Sequence, residues 1–232
     1  MRVVRTRRGA RLLQGGAIVS EVLGAPGATD SLFDVLAAAV AMLSRGPRVA
    51  LLGFAGGGIV APLRGMGCYH PLHAVDLDGS HEGLFRELSS GWCGEVRLEL
   101  ADAARWLRRR RASYDLILED LSVLGAEGET KPLICTQELP ELIAARLSKH
   151  GVAAYNLLPV PGWSMEGLVR RVASAHGSAV QVRYDDYENR LVLAGPGVPS
   201  ATECGQLLRR GLRGIGSDQA GAITVRTVRT AR

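Results

Sequence analysis

No stretch of this sequence is long and apolar enough to cross a bilayer; the longest apolar runs cover residues 35–43 and 152–160. The arginine-rich start lacks the adjoining apolar core of a signal peptide, so no membrane partner is expected and a cytoplasmic location is the default. Cysteine is sparse and scattered. Cys68, Cys93, Cys135 and Cys204 form no Cys-x-x-Cys pair, which argues against a zinc ribbon or a dithiol redox centre and for reduced thiols. Cys68, His70 and His73 have loosely metal-like spacing, but they lie in the approach to a strand, where a surface turn is more economical than a metal site. Lysine is scarce as well, and the formal charge of +5 and pI near 9.3 come largely from arginine, in residues 2–11, 105–111 and 209–232. Nucleic acid is a minority candidate for a partner, because Trp106-Leu107 followed by Arg108, Arg109, Arg110 and Arg111 has the form of the solvated end of an amphipathic helix.

What is present is enough apolar residue, 47% of 232 positions, to bury a full core in one main domain with small appendages. The most informative stretch is Val49-Ala50-Leu51-Leu52-Gly53-Phe54-Ala55-Gly56-Gly57-Gly58. A continuous apolar run suits a buried parallel strand, and the small residues after it permit a tight turn through which backbone approaches a ligand. Residues 59–66 then open a helix. Val75-Asp76-Leu77-Asp78 follows as a second strand whose acidic tip stands where nucleoside sites hydrogen-bond ribose hydroxyls. Two further short apolar runs end in carboxylates: Leu98-Glu99-Leu100-Ala101-Asp102-Ala103 and Tyr114-Asp115-Leu116-Ile117-Leu118-Glu119-Asp120. In an open parallel sheet such tips converge on one crevice. Glu119 and Asp120 should point to opposite sides if the strand is still extended there, so only Asp120 is a catalytic candidate.

The remaining pattern predicts a doubly wound α/β sheet, mostly parallel, preceded by a short β segment. Residues 1–28 read as a hairpin or meander, with turns at Arg8-Gly9 and Gly15-Gly16. Residues 29–197 read as the nucleoside-binding domain. They begin with a helix capped by Thr29 or Asp30 and include a helix over 136–149, a strand over 152–157 and a helix over 164–176. An antiparallel hairpin of residues 179–184 and 190–194 is expected to close the sheet edge. Residues 198–232 read as a short helix followed by a basic, mobile tail.

In their order, the glycine turn, Val75-Asp76-Leu77-Asp78, Asp102-Ala103 with Trp106-Leu107, and the run from Tyr114 to Asp120 resemble the spermidine synthase family. That family lies within the Rossmann-like S-adenosylmethionine-dependent methyltransferase class. The resemblance covers about residues 10–195. It implies a cofactor site for S-adenosylmethionine or its decarboxylated form, with Gly53, Ala55, Gly56 and Gly57 beside the methionine-derived tail. Asp76, helped by Asp78, would hold the ribose, Asp102 with Ala103 the adenine side, and Asp120 would be the catalytic acid facing a small-molecule acceptor, an amine in the family. A homodimer is expected by the same analogy.

The departures cluster on the acceptor side. The family has an Asp in its glycine motif where this chain has Gly56, and a second acid three residues after the catalytic one where it has Val123. Only Leu32-Phe33-Asp34 stands for the family's Tyr-and-Glu segment, and no Pro-Thr-Tyr-Pro-like segment occurs over 185–190. Losing acids weakens a polyamine site. Gly56 also removes like-charge repulsion against the carboxylate of intact S-adenosylmethionine. The expectation is therefore methyl transfer to an amine or other small nucleophile. The alternatives are true aminopropyl transfer from the decarboxylated nucleoside and a noncatalytic nucleoside-, RNA- or protein-binding module. The acceptor itself would be selected by loops over 122–132 and 159–164.

Overall fold

The computed structural model describes residues 1–125 and 128–229. Ala126 and Glu127, in the expected acceptor-selecting loop, and residues 230–232 of the basic tail lie outside the described residues. The chain opens with an antiparallel meander, β1 (Arg2–Thr6), β2 (Gly9–Gln14) and β3 (Ala17–Leu23). There follow α1 (Leu32–Leu43), β4 (Val49–Leu52), α2 (Val60–Gly65), β5 (Leu72–Asp76), α3 (Glu82–Ser89), β6 (Val96–Leu100), α4 (Ala103–Arg109) and β7 (Tyr114–Glu119). A small hairpin, β8 (Val123–Gly125) with β9 (Gly128–Thr130), leads to α5 (Ile134–Gln137), α6 (Leu139–Ala144), β10 (Leu147–Leu157) and α7 (Met165–Ser174). The chain then runs through β11 (Ala179–Tyr184), β12 (Arg190–Ala194), α8 (Ala201–Gly214), a 3₁₀ turn at Asp218–Ala220 and β13 (Ile223–Thr227).

The central sheet has the order β13-β11-β12-β10-β7-β4-β5-β6. β10, β7, β4, β5 and β6 pair in parallel, and β12, β11 and β13 are antiparallel. Alternation along the buried strands divides the core. Leu51, Leu116, Leu118, Val152 and Ala154 pack with residues of α1, α2, α3 and α8, whereas Ala50, Leu52, Ile117, Ala153 and Tyr155 pack with α4, α5, α6 and α7. Helices on both faces make this the doubly wound sheet read from the strand pattern. Among the described residues no helix is long and apolar enough to cross a membrane.

Four details differ from the sequence reading. The cap of α1 is Ser31, whose side chain accepts from Phe33 N, while Asp30 sits just outside the helix with a φ of 57°. The helix expected over 136–149 is two short ones: Pro140, with no N–H to give, stands in the first turn of α6, and β10 already begins at Leu147. The hairpin β11–β12 does not close the sheet, because β12 lies beside β10 and β13 adds outside β11. The stretch expected as a mobile tail therefore carries an edge strand, fixed by pairing of Val182 with Val225 and by α8 packing back on α1.

Glu119 and Asp120 do part company at the end of β7. Glu119 turns into the α4–α7 side and meets Lys131 Nζ at 2.7 Å, with both side chains 0% exposed. Lys131 also donates to Leu121 O at 2.5 Å, and Leu121 N donates to Glu119 Oε1 at 2.8 Å. Both ends of the segment carrying the β8–β9 hairpin are thus tied to one buried pair. Burial alone would depress the Lys131 ammonium, and the neighbouring Glu119 carboxylate outweighs that, so it is held above its ordinary range. A lone buried charge is far worse than a pair. Lys131→Met should therefore destabilise the protein by about 3 to 5 kcal/mol, and adding Glu119→Gln should recover much of the loss. Denaturant midpoints of the single and double variants check this; a double variant no better than the single would count against the pair as the anchor.

Candidate active site

The carboxyl ends of β4, β5, β7 and β10 open on a cavity of about 1710 Å³. Its lining includes Gly53, Ala55, Gly57, Asp76, Asp78, Asp102, Ala103 and Asp120 from the sequence-derived set. Gly56 is not among the lining residues. The N-terminal meander, the β8–β9 hairpin, the loop over 158–161 and the turn over 186–189 supply the remaining walls.

The glycine turn is built by a carboxylate. Asp76 Oδ2 accepts from Phe54 N at 2.7 Å and Ala55 N at 2.9 Å, and Oδ1 accepts from Asp78 N at 3.0 Å. Ala55 is held at a φ of 46°, and it and Asp30 are the non-glycine residues with positive φ among those described. Both line the cavity. A carboxylate offers about four acceptor positions, so Asp76 retains little beyond one for a ligand hydroxyl. Asp78 is exposed and bonded to Ser80 N and Oγ, which hold its carboxyl below the usual range. Asp102 caps α4 by accepting from Arg105 N at 2.8 Å, and Ala103 follows it into the wall.

Two glycines have different reasons to be glycine. Gly53, at a φ of 91°, lies so close to the next strand that a Cβ would stand 2.5 Å from Asp120 O. This contact brings the turn against Asp120. Gly56 faces the meander instead: a Cβ there would stand 2.5 Å from Leu12 Cδ1 and 3.0 Å from Val22 Cγ2. The N-terminal sheet thus packs on Gly56, the residue expected beside a ligand. Above the same turn Ser20 Oγ, in a residue only 1% exposed, has no hydrogen-bond partner among the described residues, and Ser20 lines the cavity.

Asp120 lies half-buried at the centre. Burial pushes its carboxyl up to about 6, against the pull of Lys131 and of a hydrogen bond from Asn156 Nδ2 at 2.7 Å. Asn156 Oδ1 in turn accepts from Asn189 Nδ2 at 2.9 Å. Neither asparagine was singled out as a site residue from sequence, and a polar residue after the run Val152 to Tyr155 near the end of β10 was the available signal. Asp34 was missed as well. It is fully buried and accepts from Thr29 N, Thr29 Oγ1, Asp30 N and Ser217 Oγ, which fixes the loop carrying Asp30. His73, from the loosely metal-like group, is turned to Glu99 Oε2 at 2.9 Å and edge-on to Trp106.

No protein-family model and no curated protein sequence matches the chain. Among solved structures the fold recurs in spermidine synthase from Thermotoga maritima, with a TM-score of 0.58 and 16% identity over 81% of this chain and 66% of that one. It recurs also in human methyltransferase-like protein 13 in complex with SAH, with a TM-score of 0.57 and 20% identity over 78% and 90% of the two chains. A SAM-dependent methyltransferase from Agrobacterium tumefaciens gives 0.53 and 17%, over 81% and 67%. The chain thus spans slightly less than two thirds of the Thermotoga protein's length. The fold is that of the class I methyltransferases. Within that class it is spermidine synthase-like, with the N-terminal antiparallel segment ahead of the central sheet.

Two outcomes follow from this geometry. Gly56→Asp should lower stability by about 1 to 3 kcal/mol through overpacking against Leu12 and Val22, read as a drop in Tm; an unchanged Tm would mean the meander moves aside freely. For Asp120 the folded protein holds the proton more tightly than the unfolded chain, whose carboxyl titrates at its ordinary 3.8. Stability should consequently fall as pH rises from that value through about 6. Asp120→Asn, which keeps a carbonyl for Asn156, should melt above the parent at about pH 8 and lose that advantage at about pH 4. An equal difference at both values would contradict the raised carboxyl.

Proposed function

We propose that this chain is a transferase that binds S-adenosylmethionine and passes its methyl group to an amine or another small nucleophile. The observation that carries the reading is the convergence on one cavity of the glycine turn, the acids Asp76 and Asp102 at successive strand ends, and the half-buried Asp120. Solved structures of this fold include one bound to SAH and others named for SAM-dependent methyl transfer or spermidine synthesis. The described residues fit such a ligand. Asp76 keeps an acceptor position for a ribose hydroxyl, Asp102 stands on the adenine side, and the turn has no carboxylate at position 56 and little room for one. The sulfonium of the bound donor supplies an electrophilic methyl carbon. Asp120 orients the acceptor and takes the proton its nitrogen releases, and positioning the two reactants accounts for up to about 7 to 11 kcal/mol of the barrier.

Aminopropyl transfer is the second reading, favoured by Asp186 and Glu188 on the cavity wall, whose carboxylates suit a polycation at positions other than the family's. Calorimetric titration with S-adenosylmethionine and, separately, its decarboxylated form separates the readings. Preference for the carboxylated ligand, with S-adenosylhomocysteine as product, supports methyl transfer. Preference for the decarboxylated one, with methylthioadenosine as product, replaces it with the second reading, and binding of neither removes both. Asp76→Ala should lose donor affinity, and Asp120→Asn should keep affinity and lose turnover.

A further inference from the structure

The Asp120 carboxylate ends a chain of two amides arranged in one direction. Asn156 is the penultimate residue of β10, Asn189 immediately precedes β12, and Asp120 follows β7, so three neighbouring strands each deliver one member. Asn189 Nδ2 donates to Asn156 Oδ1 at 2.9 Å, and Asn156 Nδ2 donates to Asp120 Oδ1 at 2.7 Å. Asn156 and Asn189 are 4% and 8% exposed, which leaves little room for water to replace either bond. Turning the Asn156 amide over would set its carbonyl against the Asp120 oxygen and its NH₂ against that of Asn189. Both contacts would repel, so Asn189 fixes which end of Asn156 faces the acid.

We propose that Asn156 and Asn189 are positioning residues whose one-way amide relay holds Asp120 Oδ1 and keeps the second carboxylate oxygen free for the acceptor's proton. The relay deepens the transferase reading and rests on it for the identity of that proton. Its effect on the charge of Asp120 does not depend on that reading. Among the described residues, the other charged or titratable groups acting on Asp120 include Lys131 and Glu129 from the hairpin segment, Glu119 on the opposite face of the sheet, and the Tyr184 hydroxyl of β11, which has no hydrogen-bond partner among them. Lys131 favours the carboxylate, and Glu119 and Glu129 oppose it. The Asn156 amide therefore counts among the few groups that favour ionisation where burial opposes it.

The test is a ¹³C NMR titration of the Asp120 carboxyl in the ligand-free protein, compared among wild type, Asn156→Leu and Asn189→Leu. Loss of the Asn156 donor should raise the midpoint by about one pH unit or more. Loss of Asn189 should raise it by less, because Asn156 is then free to turn over. With a donor bound, the acid limb of the kcat–pH profile should move by the same amount while KM for the donor stays, a split that a merely structural defect would not produce. If Asn156→Leu does not fold, Asn189→Leu carries the test alone. An Asp120 midpoint unchanged in the folded variants overturns the relay. A wild-type protein that binds neither form of the donor overturns the transferase reading, and the titration still decides the relay.

Discussion

The ligand-facing end of the sheet depends on the grip of the Asp76 carboxylate on the backbone of the glycine turn. After Leu52 the chain must leave its ladder, and the N–H groups of Phe54 and Ala55 lose strand partners at the point where Ala55 is forced to a positive φ. A charged acceptor satisfies both, each such bond contributing roughly 1.5 to 3 kcal/mol. The Asp76 side chain is turned back on the loop in this structure. With the turn held, Gly53 lies directly against the Asp120 backbone, so the tips of β5, β4 and β7 behave as one unit. The same carboxylate is thus the scaffold of the turn.

Successive residues on β7 show how a sheet separates stability from chemistry. Glu119 faces a dry interior and is paired with Lys131, and Asp120 faces the cavity and accepts from the neutral amide of Asn156. The first arrangement neutralises a charge. The second leaves a carboxyl whose proton affinity lies near neutrality, the range in which proton transfer is efficient. Reversing the two would cost both the anchor of the hairpin segment and the acid at the crevice.

The parts of this architecture legible in the sequence were those written locally. An apolar run leading into the glycine turn marked β4, apolar runs ending in acids marked β5, β6 and β7, and period-2 alternation was enough to part Glu119 from Asp120. What could not be read were contacts between distant segments. The partner of Glu119 is Lys131, one of only two lysines in an arginine-dominated chain, and its identity was a clue that no spacing rule could interpret. The Asn156–Asn189 contact depends on strand order, and β12 lies beside β10 only because the chain crosses over to β11 and returns. β13 was lost because Ile223-Thr224-Val225-Arg226-Thr227 is short and mostly polar, and an edge strand with one covered face leaves a weak apolar signature.

Gly56 was read first as the absence of an acid, and the structure makes it the presence of a neighbour. Leu12 and Val22 occupy the volume an Asp side chain would need, and Leu12 is fully buried. The residue at 56 and the size of the meander's side chains are consequently not independent choices. An evolutionary path between this chain and a relative bearing an acid in the turn would have to reshape β2 and β3 before or together with position 56, because the single exchange meets an occupied space. Such sign-dependent epistasis ties the history of the N-terminal sheet to the side chain carried at position 56, and it would hold apart two lineages that share the rest of the fold.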